Sequence, residues 1–231
     1  MPTFFAPLSP EEIQIILLSL KVAFWSVTIS VPAALAAAYL LARFEFLGKT
    51  LFDAIVHLPL VLPPVVIGFV LLLLLGRNGP LGALLYQCCG IVLVFKWTGA
   101  ALAAAIMGFP LMVRAMRLSL AAIDPRLEAA ARTLGANRVR VFATITLPLA
   151  WPGIVTGALL SFARSLGEFG ATITFVSNIP GETQTLPLAI YTATQVPGAE
   201  AQALRLSLLA VVLSIAALVG SEWLTRRAKS P

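Results

Sequence analysis

Charged side chains are scarce in this chain of 231 residues. Asp, Glu, Lys and Arg together make up 11% of it, against about 25% in an average soluble domain. So small a supply cannot cover the surface of a water-soluble protein. Hydrophobic residues reach 59%, where soluble domains have about 45 to 50%, and this excess also excludes a disordered chain. The composition predicts an integral membrane protein.

Residues that build metal or nucleotide sites are also few. The two cysteines, Cys88 and Cys89, are adjacent and match neither a disulfide framework nor a metal-ligand spacing. The single histidine, His57, has no second histidine to share a metal with, and a GxxxxGK[ST] phosphate loop is absent. We therefore expect no metal, no cofactor and no catalytic residue. The net charge of +6 comes from residues between apolar runs, which indicates loop asymmetry and not a nucleic-acid partner.

Five apolar segments are long enough to span a membrane. The hydrocarbon core is about 30 Å thick and a helix rises 1.5 Å per residue, so a span needs ~20 residues. The sequence predicts an all-α integral membrane protein with one transmembrane domain, 1–231, in contact with membrane lipid. The predicted spans lie at about 13–43, 52–76, 96–117, 141–166 and 201–226. Two shorter apolar segments, 81–95 and 184–202, are interpreted as re-entrant or interfacial.

The distribution of Lys and Arg predicts the orientation. Five spans place these basic residues on one side: Arg43, Lys49, Arg114, Arg117, Arg126, Arg132, Arg138, Arg140, Arg226, Arg227 and Lys229. They place only these on the other: Lys21, Arg77, Lys96, Arg164 and Arg205. Because basic residues concentrate in cytoplasmic loops, we expect the amino terminus outside and the carboxyl terminus in the cytoplasm.

The loop 118–140 is polar, yet its sequence is typical of a capped helix. Asp124 is a suitable N-cap and Pro125 suits the first helical position. Gly135 supplies a residue that ends helices in the left-handed conformation, and a second short helix is predicted from Asn137. An apolar stripe at helical spacing follows the first helix: Leu127, Ala130, Ala131 and Leu134.

This loop resembles the EAA motif of permease subunits of ABC importers. The matching residues are Glu128, Ala129 and Ala130, then Gly135, then Ile145, Leu147 and Pro148. In that family the loop is a coupling helix that docks on a separate ATP-binding subunit. The resemblance assigns these residues to ATPase coupling: Glu128, Ala129, Ala130, Leu134 and Gly135. A surface amphipathic helix held by its basic residues is the alternative.

Three further segments resemble molybdate permeases, a family to which sulfate permeases are closely related. They are HLPLVLPPVVIGF at 57–69, FPLMVRA at 109–115 and SFARSLGEFGATITFVSNIPGET at 161–183. The resemblance implies a type I ABC importer permease in a bacterial inner membrane, importing molybdate, with tungstate left open, and leaving ATP hydrolysis to a partner. It implies a homodimer, two cytoplasmic ATP-binding cassette subunits and an external substrate-binding protein. A sulfate or thiosulfate permease and a stand-alone secondary anion transporter remain alternatives.

One group of residues is a candidate for the translocation pathway. Arg164 and Glu168 form an opposite-charge i,i+4 pair at the end of an apolar span, where ionisable groups usually face protein or water. We expect Arg164, Glu168 and Thr172 to line the pathway, with Arg164 giving positive potential for an oxyanion; an internal ion pair that only braces the helix is the alternative.

Three prolines interrupt the second span at Pro59, Pro63 and Pro64. Proline removes a backbone donor and bends a helix. We therefore expect a kink at this point, serving either as a gate or only to shape the helix.

Overall fold

The computed structural model describes the backbone of residues 8–229 and their side chains, apart from those at 218 and 221–229. The side chains of Arg226, Arg227 and Lys229, which enter the orientation prediction, therefore lie outside the described residues. Every regular element in this part is helical. The helices are α1 Pro10–Arg43, α2 Lys49–Val61, α3 Pro64–Leu75, α4 Pro80–Cys89, α5 Trp97–Ala121, α6 Pro125–Thr133, α7 Arg138–Val141, a π-helical turn Phe142–Thr146, α8 Leu147–Leu166, α9 Gly170–Val176, α10 Leu186–Gln195 and α11 Glu200–Lys229.

Four helical stretches of the described chain are long and apolar enough to cross a bilayer. They are α1, α5, Arg138–Leu166 and the Glu200–Ala217 part of α11. The spans predicted at 13–43, 96–117, 141–166 and 201–226 fall on these four. A fifth span exists if α2 and α3 are counted together. The predicted all-α membrane fold with about five spans is confirmed.

The region predicted as a second span, 52–76, is broken into two helices. The axes of α2 and α3 differ by 112°, far more than a kink. Leu62 has an extended backbone (φ −72°, ψ 142°), because a following proline disfavours the helical region. Pro63 then serves as the N-cap and Pro64 as the first residue of α3, where a missing N–H costs nothing.

Two short helices occupy the segments that were predicted to be re-entrant or interfacial. α4 and α10 have ten residues each, about 15 Å at the helical rise. Neither helix alone reaches across a bilayer core.

The centre of the bundle is a layer of α1, α5 and α8 packed on one another. Small side chains make this packing close. A Cβ at Gly157 of α8 would lie 2.9 Å from the carbonyl oxygen of Met112 on α5, so a larger residue there would push the two helices apart. Gly153, Gly157, Ser161 and Ser165 recur every fourth residue along α8, a spacing typical of close packing between membrane helices.

Candidate functional site

The loop between α5 and α8 forms two short capped helices at one end of the bundle. Asp124 Oδ1 accepts the Arg126 N–H at 2.9 Å, and Pro125 is the first residue of α6. The predicted start of this helix is confirmed. Asn137 Oδ1 accepts the Arg140 N–H at 2.8 Å and starts α7.

Gly135 ends α6 in the left-handed conformation, with φ 85°. Its N–H donates to the Arg132 oxygen at 3.0 Å, and the Ala136 N–H donates to the Ala131 oxygen at 3.1 Å. This pair of bonds is the Schellman arrangement, which satisfies carbonyls at the end of a helix. The predicted role of Gly135 as a helix terminator is confirmed.

The apolar side chains of this loop point away from the bundle. Leu134 is 88% exposed and Val139 is 76% exposed, and Leu127 is also exposed. Ala129 and Ala130 are exposed too, whereas Ala131 is half-buried. These residues, Leu127, Ala129, Ala130, Leu134 and Val139, are called the loop face below. Uncovered apolar residues grouped in this way are typical of a surface that binds another protein.

Glu128 differs from its neighbours in the EAA motif because its side chain points inward. It is only 6% exposed. Its Oε1 accepts hydrogen bonds from Arg43 Nη2 at 2.9 Å and from Thr146 Oγ1 at 2.8 Å. The resemblance assigns Glu128 to ATPase coupling. In the structure, its carboxylate joins α6 to the end of α1 and to the π-helical turn before α8.

The π-helical turn lies immediately before the Leu147–Pro148 pair of the motif. The Leu147 N–H donates to the Phe142 oxygen, five residues earlier. Pro148 has no N–H, and its ring would clash with the carbonyl four residues before it in a regular helix. A wider turn removes this conflict, and it places Thr146 within reach of Glu128.

Arg164 and Glu168 form the predicted ion pair. Arg164 Nη1 lies 2.7 Å from Glu168 Oε2, and the Arg164 side chain stays partly exposed while that of Glu168 is buried. Glu168 Oε1 also accepts the Ala171 N–H at 2.9 Å. The carboxylate therefore caps the start of α9, where a negative charge is favourable. The geometry shows bracing of the α8–α9 corner and leaves part of Arg164 accessible.

The hydroxyl and amide groups after this pair are largely engaged within the chain. Thr172 is 1% exposed, so it lines no open space in this conformation. Thr174 Oγ1 donates to the Gly170 oxygen at 2.9 Å. Asn178 Nδ2 donates to Thr192 Oγ1 at 2.7 Å.

The proline break and the charged pair meet at the start of α9. A Cβ at Gly170 would lie 2.8 Å from Pro64 Cβ, so glycine is needed for this approach. Glu168 caps the same end of α9. The structure therefore brings together two groups of residues that the sequence could not connect. A movement of α3 at Pro63 and Pro64 would also shift the start of α9 and the ion pair beside it.

One contact beside the ion pair is not predicted by the sequence. Ser26 Oγ of α1 and Ser165 Oγ of α8 are hydrogen-bonded at 2.8 Å, and both residues are buried. This bond fixes α8 against α1 next to Arg164. The four-residue spacing of small residues in α8 was the available signal for it.

Comparisons with known proteins agree with this architecture. Residues 30–230 match the family described as binding-protein-dependent transport system inner membrane component. The chain is 58% identical over 219 residues to the molybdenum transport system permease protein ModB of Escherichia coli (strain K12), covering 95% of this chain and 96% of that protein. It is 41% identical over 177 residues to the sulfate transport system permease protein CysW of Synechococcus elongatus, covering 77% of this chain and 62% of that protein.

The fold also matches a solved transporter. A bacterial alginate ABC transporter in complex with an alginate-bound periplasmic protein superposes with a TM-score of 0.76 at 18% identity, over 96% of this chain and 81% of that one. At this identity the likeness concerns the fold alone. The family match and the near-complete overlap with the E. coli permease show more than the fold. The chain belongs to the inner membrane components of binding-protein-dependent transport systems, and it is the multi-pass permease subunit of an ABC importer and not its ATPase.

Proposed function

We propose that the chain forms the translocation pathway of a molybdate importer driven by ATP hydrolysis on a partner subunit. The observation that supports this best is the 58% identity to a molybdenum permease over 95% of the chain. The two proteins overlap along nearly their whole lengths.

The assembly that fits this role contains two copies of the chain, two ATP-binding cassette subunits and an external substrate-binding protein. The exposed loop face supports the ATPase contact. Four charged arginines border it, namely Arg126, Arg132, Arg138 and Arg140, all exposed. Their charge supports placing this end of the bundle in the cytoplasm, with the amino terminus of α1 at the external end.

Coupling then follows from the position of Glu128. A partner that displaces the loop face moves α6, and the bonds from Arg43 and Thr146 transmit this displacement to α1 and α8. These helices are closely packed, so they move as a rigid body instead of deforming. Alternating access requires such a rigid change between two states that differ in their affinity for the partner.

At the opposite end, α8 leads directly to Arg164 and Glu168. A tilt of α8 moves this corner against Pro64 of α3. Pro59 lies inside α2, so the break itself is at Pro63 and Pro64. In this proposal the break lets α3 move separately from α2 and act as a gate. Arg164 keeps one positive, partly accessible group near the gate, which attracts an oxyanion without enclosing it. Thr172 joins the pathway only if α9 shifts, because it is buried in the present conformation.

Uptake of labelled molybdate into vesicles that contain the whole assembly tests the proposal. We expect uptake that requires ATP and both soluble partners, and that an excess of unlabelled molybdate abolishes while an excess of sulfate leaves it nearly unchanged. Competition by tungstate measures whether the two anions share the route. Equal inhibition by sulfate and molybdate would favour a sulfate permease, and uptake without ATPase subunits would favour a stand-alone transporter.

A further inference from the structure

A polar cavity lies between α2 and α5 at the end of the bundle that contains α6. Its volume is about 410 Å³, and its lining consists of Asp53, His57, Arg114, Arg117, Leu118 and Ala121. Arg114 and Arg117 lie about 10 and 6 Å from the end of α5 at the helical rise. With the end of α5 placed at the membrane surface, these distances put both arginines nearer the headgroup region than the hydrocarbon centre of a bilayer about 40–45 Å thick in total.

The charges in this cavity do not cancel. Arg117 Nη1 lies 3.0 Å from Asp53 Oδ2, so these two side chains neutralise each other. His57 Nδ1 lies 3.1 Å from Asp53 Oδ1. Arg114 is exposed and pairs with no acidic side chain among the described residues. The cavity therefore has an excess positive charge, located on Arg114.

An apolar groove continues from the polar cavity, between α5 and α8. It also has a volume of about 410 Å³, and Arg114 and Leu118 line both spaces. Leu111, Pro152 and Leu160 are among its other lining residues.

The two hydroxyl groups that line this groove are already engaged. Ser119 Oγ donates to the Ala150 oxygen at 3.4 Å and Thr156 Oγ1 to the Pro152 oxygen at 2.8 Å. Apart from Arg114 at its junction with the polar cavity, the groove offers no free side-chain donor, and it suits a hydrocarbon chain.

We propose that this composite surface binds one anionic phospholipid of the surrounding leaflet. The phosphate lies between Arg114 and Arg117, and one acyl chain follows the groove along Leu111, Pro152 and Leu160. Planar guanidinium groups bind phosphate with paired hydrogen bonds, and basic pockets between membrane helices recognise acidic headgroups. The bound phosphate compensates the positive charge of Arg114. The acyl chain fills the gap between α5 and α8, two helices that the proposed coupling movement would shift.

Other occupants fit the surface less well. A free oxyanion would neutralise Arg114 but leave the apolar groove empty. A second copy of the chain offers no spare carboxylate among its described residues at this end, because each one is engaged within its own chain: Glu45, Asp53, Asp124 and Glu128. The phospholipid is the occupant that matches both the charge and the continuous apolar surface.

The test measures which lipids the full-length chain retains. The purified chain is incubated with mixed micelles of phosphatidylglycerol and phosphatidylcholine, and the lipids that copurify are quantified by mass spectrometry. We expect enrichment of phosphatidylglycerol over its share of the micelles. Arg114→Gln should reduce this enrichment about fivefold, the effect of one basic residue near an acidic headgroup.

Two further variants separate the headgroup from the acyl chain. Arg138→Gln removes an exposed positive charge at the same end of the bundle without lining either cavity, and it should leave the enrichment unchanged. Leu160→Gln alters only the groove, and it should lower retention of both lipids while keeping their ratio. Circular dichroism and size-exclusion profiles establish that each variant is folded.

Three results would overturn the proposal. Equal enrichment in the wild-type chain and in Arg114→Gln would show that Arg114 does not select the headgroup. Displacement of phosphatidylglycerol by sodium molybdate, lost in Arg114→Gln, would make the cavity a small-oxyanion site. Crosslinking of two chains through Leu118→Cys, with no lipid retained, would make the surface a contact between copies. None of these readouts depends on transport, so they are independent of the proposed substrate.

Discussion

Thr146 Oγ1 donates a hydrogen bond of 2.8 Å to the carboxylate of Glu128, eighteen residues earlier in the chain. The same oxygen accepts from Arg43, so one carboxylate connects α6 with both α1 and the approach to α8. A motif glutamate in an exposed loop would ordinarily be interpreted as a contact residue. Its burial instead makes it an internal connection between the loop and the membrane helices.

Replacing Glu128 with Gln should weaken this connection. The change removes the negative charge opposite Arg43, whose side chain is largely buried. A hydrogen bond to a charged group contributes about 1.5 to 3 kcal/mol, so we expect a lower Tm of the purified permease. In the assembly, ATP hydrolysis should continue with less anion transported per ATP.

Arg132→Gln is the matched control for Glu128→Gln. Arg132 lies 3.7 Å from the other Glu128 oxygen and is exposed, and such pairs contribute about 0 to 1 kcal/mol. Its Tm should stay close to the wild-type value. A larger loss in Arg132→Gln than in Glu128→Gln would contradict the role given to the buried bonds.

The exposure of Leu134 leads to a second prediction, which separates folding from partner binding. Because Leu134 is 88% exposed, Leu134→Asp should change the free energy of unfolding of the isolated chain by no more than about 0.5 kcal/mol. Copurification of the ATPase subunit with the variant should nevertheless fall strongly. Leu84→Asp, at another exposed leucine that lies on α4 outside the loop face, serves as the control. Retention of the ATPase by Leu134→Asp would exclude the loop face as its binding surface.

Gly135 permits a test of backbone conformation without crowding. No atom lies within 4 Å of a Cβ placed there, so in the isolated chain the cost of a substitution comes from φ 85° alone, about 1 to 2 kcal/mol. Gly135→Ala and Gly135→Leu should lower Tm equally, and Gly135→Asn should lower it less. If the ATPase subunit covers the loop, the larger side chain in Gly135→Leu should reduce coupled uptake more than Gly135→Ala does. Equal uptake by the two variants would indicate that the partner does not cover Gly135.

The sequence predicts interactions between residues that are close in the chain, and it misses those between residues that are far apart. Asp124, Pro125 and Gly135 act on neighbours within a few residues, so their capping roles could be read from spacing. Glu128 faces Arg43 across 85 positions of the chain, and no local pattern indicates that contact. The 112° turn between α2 and α3 exceeds the predicted kink, because prolines predict an interruption of a helix but not the angle that tertiary packing gives it. Arg164 and Glu168 were paired correctly because they lie one helical turn apart.

The two natural cysteines provide a test of orientation. Cys88 and Cys89 are exposed at the end of α4, and α4 follows α3, whose Leu71 packs near the start of α5 and so away from α6. With the proposed orientation, a membrane-impermeant maleimide should label these thiols in intact spheroplasts. Leu134→Cys in a Cys88→Ser, Cys89→Ser background should react only after permeabilisation, and the reverse pattern would place the loop face outside.

The ion pair of Arg164 with Glu168 offers the sharpest choice between bracing and transport. Arg164→Gln leaves the buried Glu168 carboxylate with the Ala171 N–H but without its cation, so we expect destabilisation of about 1.5 to 3 kcal/mol. The double variant Arg164→Gln, Glu168→Gln removes both charges and should recover part of that loss, because adjacent sites are not additive. If the pair only braces the α8–α9 corner, uptake should recover together with Tm. We expect Tm to recover while molybdate uptake stays low, because the positive potential of Arg164 is absent. Full uptake by a correctly assembled double variant would exclude Arg164 from the anion pathway.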